Sequence, residues 1–204
     1  MKNKFLLLLL VGFLWFGGVS PVIAIPGPTE ALRPTLDEIM AIITDPTLAG
    51  EVHKVERRSK VMTIIKQGFD FEVMSQLVLG KTWRTIDQSQ RDHFQELFTK
   101  LLENAYIGKL EGYSGQMTEF HGERIKGKKA EVSTVVVHEG LSYPVQYIML
   151  HKDSDWKVYD LKIEGVRLLR NYRAQFSSIL RKEKFDGLVK VLEEKNATLS
   201  GEDS

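Results

Sequence analysis

The sequence predicts an α+β domain, on three observations. Between residues 34 and 110 the apolar residues recur at helical spacing. Between residues 116 and 163 the period drops to two, in four runs joined by short connections. From residue 166 the helical period returns.

Residues 1–24 read as a secretory signal. Lys2 and Lys4 make a positive start, Phe5 to Phe16 is almost wholly apolar, and Val22-Ile-Ala24 offers small residues where a signal peptidase cuts. The apolar run is short for a membrane span and is followed by Gly17-Gly18 and Pro21, so cleavage after Ala24 is expected. Without this segment, 28 basic against 27 acidic residues become 26 against 27, a net charge of −1. Such a balance gives no bulk attraction to nucleic acid or to an anionic surface. The chain has no cysteine, so an exported form depends on its core rather than on disulfides.

Residues 25–32, with two prolines, read as a linker before a domain over 33–195 and a polar tail over 196–204. The first helix is predicted from Pro34 to about Thr44, because Thr35 and Glu38 have capping-box spacing and Leu36, Ile39, Met40 and Ile43 share a face. A second helix, Glu51 to Gln67, carries Val52, Val55, Val61, Ile64 and Ile65 and stops at Gly68. Asp70 can cap a short third helix, Phe71 to Leu79, which Gly80 ends. The longest helix runs from about Gln88 to Leu110 after a cap at Thr85 or Asp87. One of its faces is Phe94, Leu97, Phe98, Leu101, Leu102, Ala105, Tyr106 and Leu110, and the other is charged.

Four strands follow: Gln116–His121, Lys129–His138, Ser142–His151 and Asp155–Ile163. Their short connections imply an antiparallel meander. Tyr143, Val145, Tyr147 and Met149 line one face of the third strand, and Ile148 and Leu150 the other. Val135-Val-Val137 is apolar on both faces, so the sheet is covered on both sides. In the fourth strand Tyr159, Leu161 and Ile163 alternate with Trp156 and Val158. Glu164-Gly165 makes a corner, and Val166, Leu169, Tyr172, Phe176, Ile179 and Leu180 then form one helical face. This strand–corner–helix unit suits the wall and lid of a cavity, and equally a packed core. A last short helix begins at Phe185 and fades from Asn196.

Motifs of catalysis are missing. The five histidines are scattered without metal-ligand spacing. Gly80-Lys-Thr82 lacks the earlier glycine and the preceding strand of a phosphate loop, and no GxSxG elbow is present. Asp70-Phe-Glu72 reads as a helix cap with an acidic first turn. The balance favours a binding protein, with two alternatives. One is an enzyme using a cavity acid or histidine such as Asp160 or His151; the other is a carrier of a different apolar ligand such as a hopanoid.

Three stretches together resemble one family. They are Leu77-Val-Leu-Gly-Lys-Thr-Trp83 with Gln90-Arg-Asp-His-Phe-Gln-Glu-Leu-Phe98, then Leu102-Glu-Asn-Ala-Tyr106 with Tyr113-Ser-Gly115. The third begins at Trp156-Lys-Val-Tyr-Asp160 and continues through Glu164-Gly-Val166, Asn171-Tyr-Arg173, Phe176, Ile179-Leu-Arg181 and Asp186-Gly-Leu188. In order and spacing they resemble the MlaC, or toluene-tolerance auxiliary substrate-binding, proteins over about residues 33–195. The resemblance implies a curved antiparallel four-stranded sheet of NTF2-like type, combined with a helical part around an apolar lipid cavity. It implies a periplasmic phospholipid carrier that needs no cofactor, the lipid being cargo. The implied partners are an inner-membrane ABC transporter with an MCE-domain subunit and an outer-membrane lipoprotein complex, and no nucleic acid.

On this reading Val135, Val137, Tyr147, Met149, Tyr159 and Leu161 of the sheet share a cavity with Phe98, Leu102, Tyr106, Val166, Leu168, Leu169 and Tyr172 of the helices. Gly165 is then either a hinge for the helix that follows or a fixed turn. A buried CH₂ is worth roughly 0.8 kcal/mol, so a sixteen-carbon chain gains on the order of 12 kcal/mol on leaving water. A carrier has to match what a bilayer offers.

Overall fold

The computed structural model describes residues 26–112, 118–138 and 141–202. The expected signal peptide, Tyr113-Ser-Gly115, the start of the predicted first strand and the Glu139-Gly140 connection lie outside them. The order is α1 (Pro28–Thr44), α2 (Lys54–Gly68), α3 (Phe71–Leu79), α4 (Gln88–Glu111), β1 (Thr118–Lys126), β2 (Lys129–His138), β3 (Leu141–Lys152), β4 (Asp155–Ile163), β5 (Val166–Arg167) and α5 (Leu168–Glu202). Tight 3₁₀ turns at Pro46–Leu48, Glu51–His53 and Gly80–Arg84 join the first helices. No helix among the described residues is long and apolar enough to cross a membrane.

The helices start where their end groups find partners. The Asp70 side chain accepts from Val73 N at 2.9 Å, and Asp87 accepts from Gln90 N at 2.9 Å while Gln90 accepts from Asp87 N. Each arrangement satisfies amide donors that a helix start leaves free. Two expectations fail at the N-terminal end. Residues 28–32 are helix rather than linker: Pro28 opens α1, where its missing N–H costs nothing, and Glu30 accepts from Gly27 N at 3.1 Å. Pro34 therefore lies inside the helix. In the second predicted helix, Val52 and Val55 are 93% and 81% exposed instead of sharing the face of Val61. Glu51–His53 is a 3₁₀ turn with its own phase. The inward positions near the start of α2 go to Arg57 and Arg58, which both bind Glu111 of α4. Val61 then packs with Ile39 of α1 and Ile107 of α4.

The sheet is an antiparallel meander in the order β1-β2-β3-β4-β5. It has five strands rather than four, because Val166 and Arg167 fold back to pair with Ile163 and Lys162. Glu164 and Gly165 both have positive φ, 48° and 86°, as a two-residue hairpin turn requires. β1 also runs five residues further than predicted and turns at Gly127-Lys128.

The two faces of the sheet are distinct. The outer face, under α1, packs Leu32 and Leu36 against Ala130, Val132, Met149, Trp156 and Val158. The inner face, under α3, α4 and α5, presents Ile148 and Tyr159 to the main core. A bulge in β4 corrects the predicted alternation. Ile148 pairs with Asp160 and Met149 with Val158, so Tyr159 is an extra residue. Beyond it the parity shifts, and Leu161, paired with Tyr147, lies on the side of Val158 rather than of Tyr159.

The C-terminal helix begins at Leu168, not Val166, and does not fade at Asn196. Asn196 is buried, donates to Leu97 O at 3.0 Å, and faces Asn104 of α4. The expected gap between two helices is a single break at Lys184, with φ 63° and ψ −164°.

Candidate functional site

Helical period and strand parity bring the large apolar side chains together on the inner face. Phe94 and Phe98 stack one turn apart on α4, with ring centroids 5.9 Å apart. Phe176 meets both rings edge-on at 6.0 and 5.7 Å, and Tyr172 meets Phe98 edge-on at 5.5 Å. Met74, Trp83, Leu101, Leu102, Leu168 and Leu169 continue this cluster onto Ile148 and Tyr159 of the sheet. The Tyr172 hydroxyl shares a hydrogen bond with Tyr106. Burial, then the Tyr106 hydroxyl, push its pKa well above the ordinary tyrosine range.

Of the residues expected to share a cavity, Phe98, Leu102, Tyr159, Leu168, Leu169 and Tyr172 lie within this cluster, and Tyr106 packs at its edge. Leu161 touches both clusters from the parity of the outer face. Tyr147 and Met149 lie on the outer face against α1. Val166 is 62% exposed, because it belongs to β5 and not to the helix. Val135 and Val137 pair with Pro144 and Ser142. That puts them on the inner face, half-buried and beyond the dense cluster.

The corner is held by a group that sequence reasoning named only as a conceivable catalytic acid. Asp160 is 2% exposed. Its carboxylate accepts from Leu161 N at 2.8 Å, from Leu169 N in the first turn of α5 at 3.0 Å, and from Arg167 Nε at 2.6 Å. It therefore ties strand, hairpin and helix start together. His151 packs edge-on to Trp156 at 5.0 Å, three residues along β3 from the partner of Asp160. A helix following a strand end at a buried acid is the pattern that would have pointed to this latch.

Among the described residues, two surface grooves stand out. One, of about 560 Å³, lies beside Phe69 and Phe71 and is rimmed by Lys66, Asp70, Lys152 and Lys157. The other, of about 420 Å³, runs past Val55, Arg58, Lys100 and Glu103. The first is lined mostly by charged side chains and the second by a mixture of charged, polar and apolar ones. Among the described residues no group of three His, Asp or Glu side chains is arranged to hold a metal ion.

Comparison with known proteins places this geometry. The chain is 25% identical over 131 residues to the intermembrane phospholipid transport system binding protein MlaC of Haemophilus influenzae, covering 61% of each protein. It is 28% identical over 112 residues to the toluene tolerance protein ttg2D of Pseudomonas putida, covering 54% of this chain and 52% of that one. The matched segments thus span between half and three-fifths of these curated relatives. Among solved structures, the phospholipid-binding protein of Ralstonia solanacearum, determined in complex with a phospholipid, superposes with a TM-score of 0.79. It is 28% identical, over 86% of this chain and 99% of that one. The MlaC protein family matches residues 33–194, nearly all of the chain beyond the expected signal, and the protein belongs to that family.

Proposed function

We propose that this protein is a periplasmic phospholipid carrier. It takes lipid at one membrane and delivers it at the other, between an inner-membrane ABC transporter with an MCE-domain subunit and an outer-membrane lipoprotein complex. The observation that carries the reading is the likeness, over nearly the whole domain, to a structure solved with a phospholipid bound. The acyl chains lie on the inner face of the sheet, among Phe98, Leu102, Tyr159, Leu168, Leu169 and Tyr172. Val135 and Val137 extend that apolar surface along the same face, half-buried and outside the packed core. The aromatic side chains pack on one another and on the sheet, so an acyl chain loaded among them displaces them and moves α4 and α5 away from the sheet. Their contacts with one another are apolar, which makes the exchange of side chain for acyl chain nearly neutral in apolar burial. The test is mass spectrometry of an organic extract of protein purified from the periplasm. Diacyl phospholipid at near one molecule per chain or more is expected; a polycyclic lipid alone, or no lipid, would overturn the reading.

A further inference from the structure

The inner face of the sheet is not apolar throughout. One row across its middle strands is polar. Lys162 of β4 pairs with Gln146 of β3 on one side and with Arg167 of β5 on the other. Directly paired antiparallel residues point to the same face. Arg167 binds Asp160, whose own partner is Ile148 of the main core, and this fixes that face as the inner one.

Each member of the row has capacity left over. The Gln146 side-chain oxygen is buried and has no hydrogen-bond partner among the described residues. A buried acceptor left unsatisfied is unfavourable. The Nε of Arg167 is given to Asp160, while its two terminal nitrogens face no carboxylate among the described residues, and the side chain is 42% exposed. Lys162 is half-buried and has no ion-pair partner among the described residues. Asp160 neutralises one of the two cations and already accepts from three donors. The row therefore carries a net charge of about +1, and Glu164 at the hairpin is turned out and exposed.

The row also has apolar surface on both sides. Toward the core it is followed by Ile148 and Tyr159; the other way come Val135 and Val137 of β2, paired with Pro144 and Ser142 of β3. Two residues along a strand is roughly 6.7 Å. An anion held by the row would leave long apolar substituents lying on the inner face.

We propose that Lys162, Arg167 and Gln146 form the site that holds the phosphodiester of the bound lipid, with the carboxamide turned to donate. This rests on the reading of the protein as a phospholipid carrier. It adds that the phosphate, and not only the acyl chains, is recognised.

The test compares two lipids with the same chains, dioleoyl phosphatidylglycerol and dioleoylglycerol, on the delipidated mature protein. Wild type is expected to hold the phosphate-bearing lipid about tenfold more tightly at low salt, which is about 1.4 kcal/mol. That preference shrinks at high salt, because the cations are partly exposed. Lys162→Gln removes most of the preference and leaves dioleoylglycerol affinity unchanged; Lys162→Arg keeps it. Equal binding of the two lipids by wild type overturns the phosphate site. So does an equal loss of both lipids in Lys162→Gln. Release of bound phosphatidylglycerol by millimolar sn-glycerol 3-phosphate would make the row a site for soluble phosphate esters instead. Failure of wild type to bind either lipid sinks the carrier reading itself.

Discussion

Asp160 and Arg167 decide how the corner behaves, and their asymmetry is informative. The acid is buried, while the arginine reaches water. Removing the arginine leaves a buried carboxylate with only backbone donors, a change that typically costs 3–5 kcal/mol for a broken buried pair. Because Arg167 is 42% exposed, Arg167→Ala should fall below that range and lower stability by about 1–2 kcal/mol in urea unfolding. Asp160→Asn/Arg167→Ala should recover part of that loss, since a neutral amide still accepts from Leu169 N. If the double variant is as unstable as the sum of the two singles, the pair is not coupled. Tyr172 gives a pH signature. Its hydroxyl is kept neutral by burial and by Tyr106, above its ordinary value of 10.0. A raised folded-state pKa contributes stability that is full below the unfolded value and is lost as pH rises through the folded one. Thermal stability should thus be level across neutral pH and fall above about pH 10. Tyr172→Phe should remove much of that alkaline fall. Tyr159, raised by burial as well, would leave a smaller remainder.

At the scale of elements, what the sequence made legible follows from how local the cause is. α3 and α4 lie where their caps place them because Asp70 and Asp87 bond amides three residues away. β2 and β4 match their predicted bounds because alternation is local too. The bulge at Tyr159 was not legible: the unpaired residue is set by the register with β3, and it reverses which side of the sheet Leu161 faces. The same holds for Met149, apolar in pattern but facing α1, whose first turn lies in a proline-containing stretch with the pattern of a linker and is started by Pro28 and Glu30. The Val166 error is of the same kind, since only pairing with Ile163 distinguishes a two-residue strand from a helix start. The break at Lys184 can be tested. The backbone turns so sharply there that a Cβ at Gly187 would collide with the Glu183 side chain. Gly187→Ala should cost about 1–3 kcal/mol, as overpacking does. Should the variant be neutral, the break is softer than this geometry implies, and the second half of α5 can re-seat.

For the whole molecule, the proposed carrier function raises the question of which side of the sheet would receive the lipid. Both sides are apolar, and sequence alone divided them wrongly: Tyr147 and Met149 were grouped with residues now separated from them by the sheet itself. Two arguments favour the inner side. The outer cluster is closed by a single helix whose start is fastened to β1, where Thr29 N donates to Glu123 at 2.8 Å and Arg33 lies 4.0 Å over the Phe120 ring. The inner cluster is larger and is roofed by three helices, α3, α4 and α5, with polar contacts between α4 and α5 at Tyr106–Tyr172, His93–Glu193 and Asn104–Asn196. Nature has placed a reporter on each side. Of the three tryptophans, Trp15 belongs to the expected signal, Trp83 is in the inner cluster and Trp156 is in the outer one. A phospholipid brominated along its acyl chains quenches indole fluorescence only near contact. Loading such a lipid into Trp156→Phe protein, where Trp83 remains, should quench most of the emission. Loading it into Trp83→Phe protein should leave Trp156 nearly as bright as with unbrominated lipid. The reverse pattern would put the lipid under α1. Equal quenching of both would mean that the chains reach around the sheet edge, and the division of the molecule into a closed outer layer and an opening inner one would have to be abandoned.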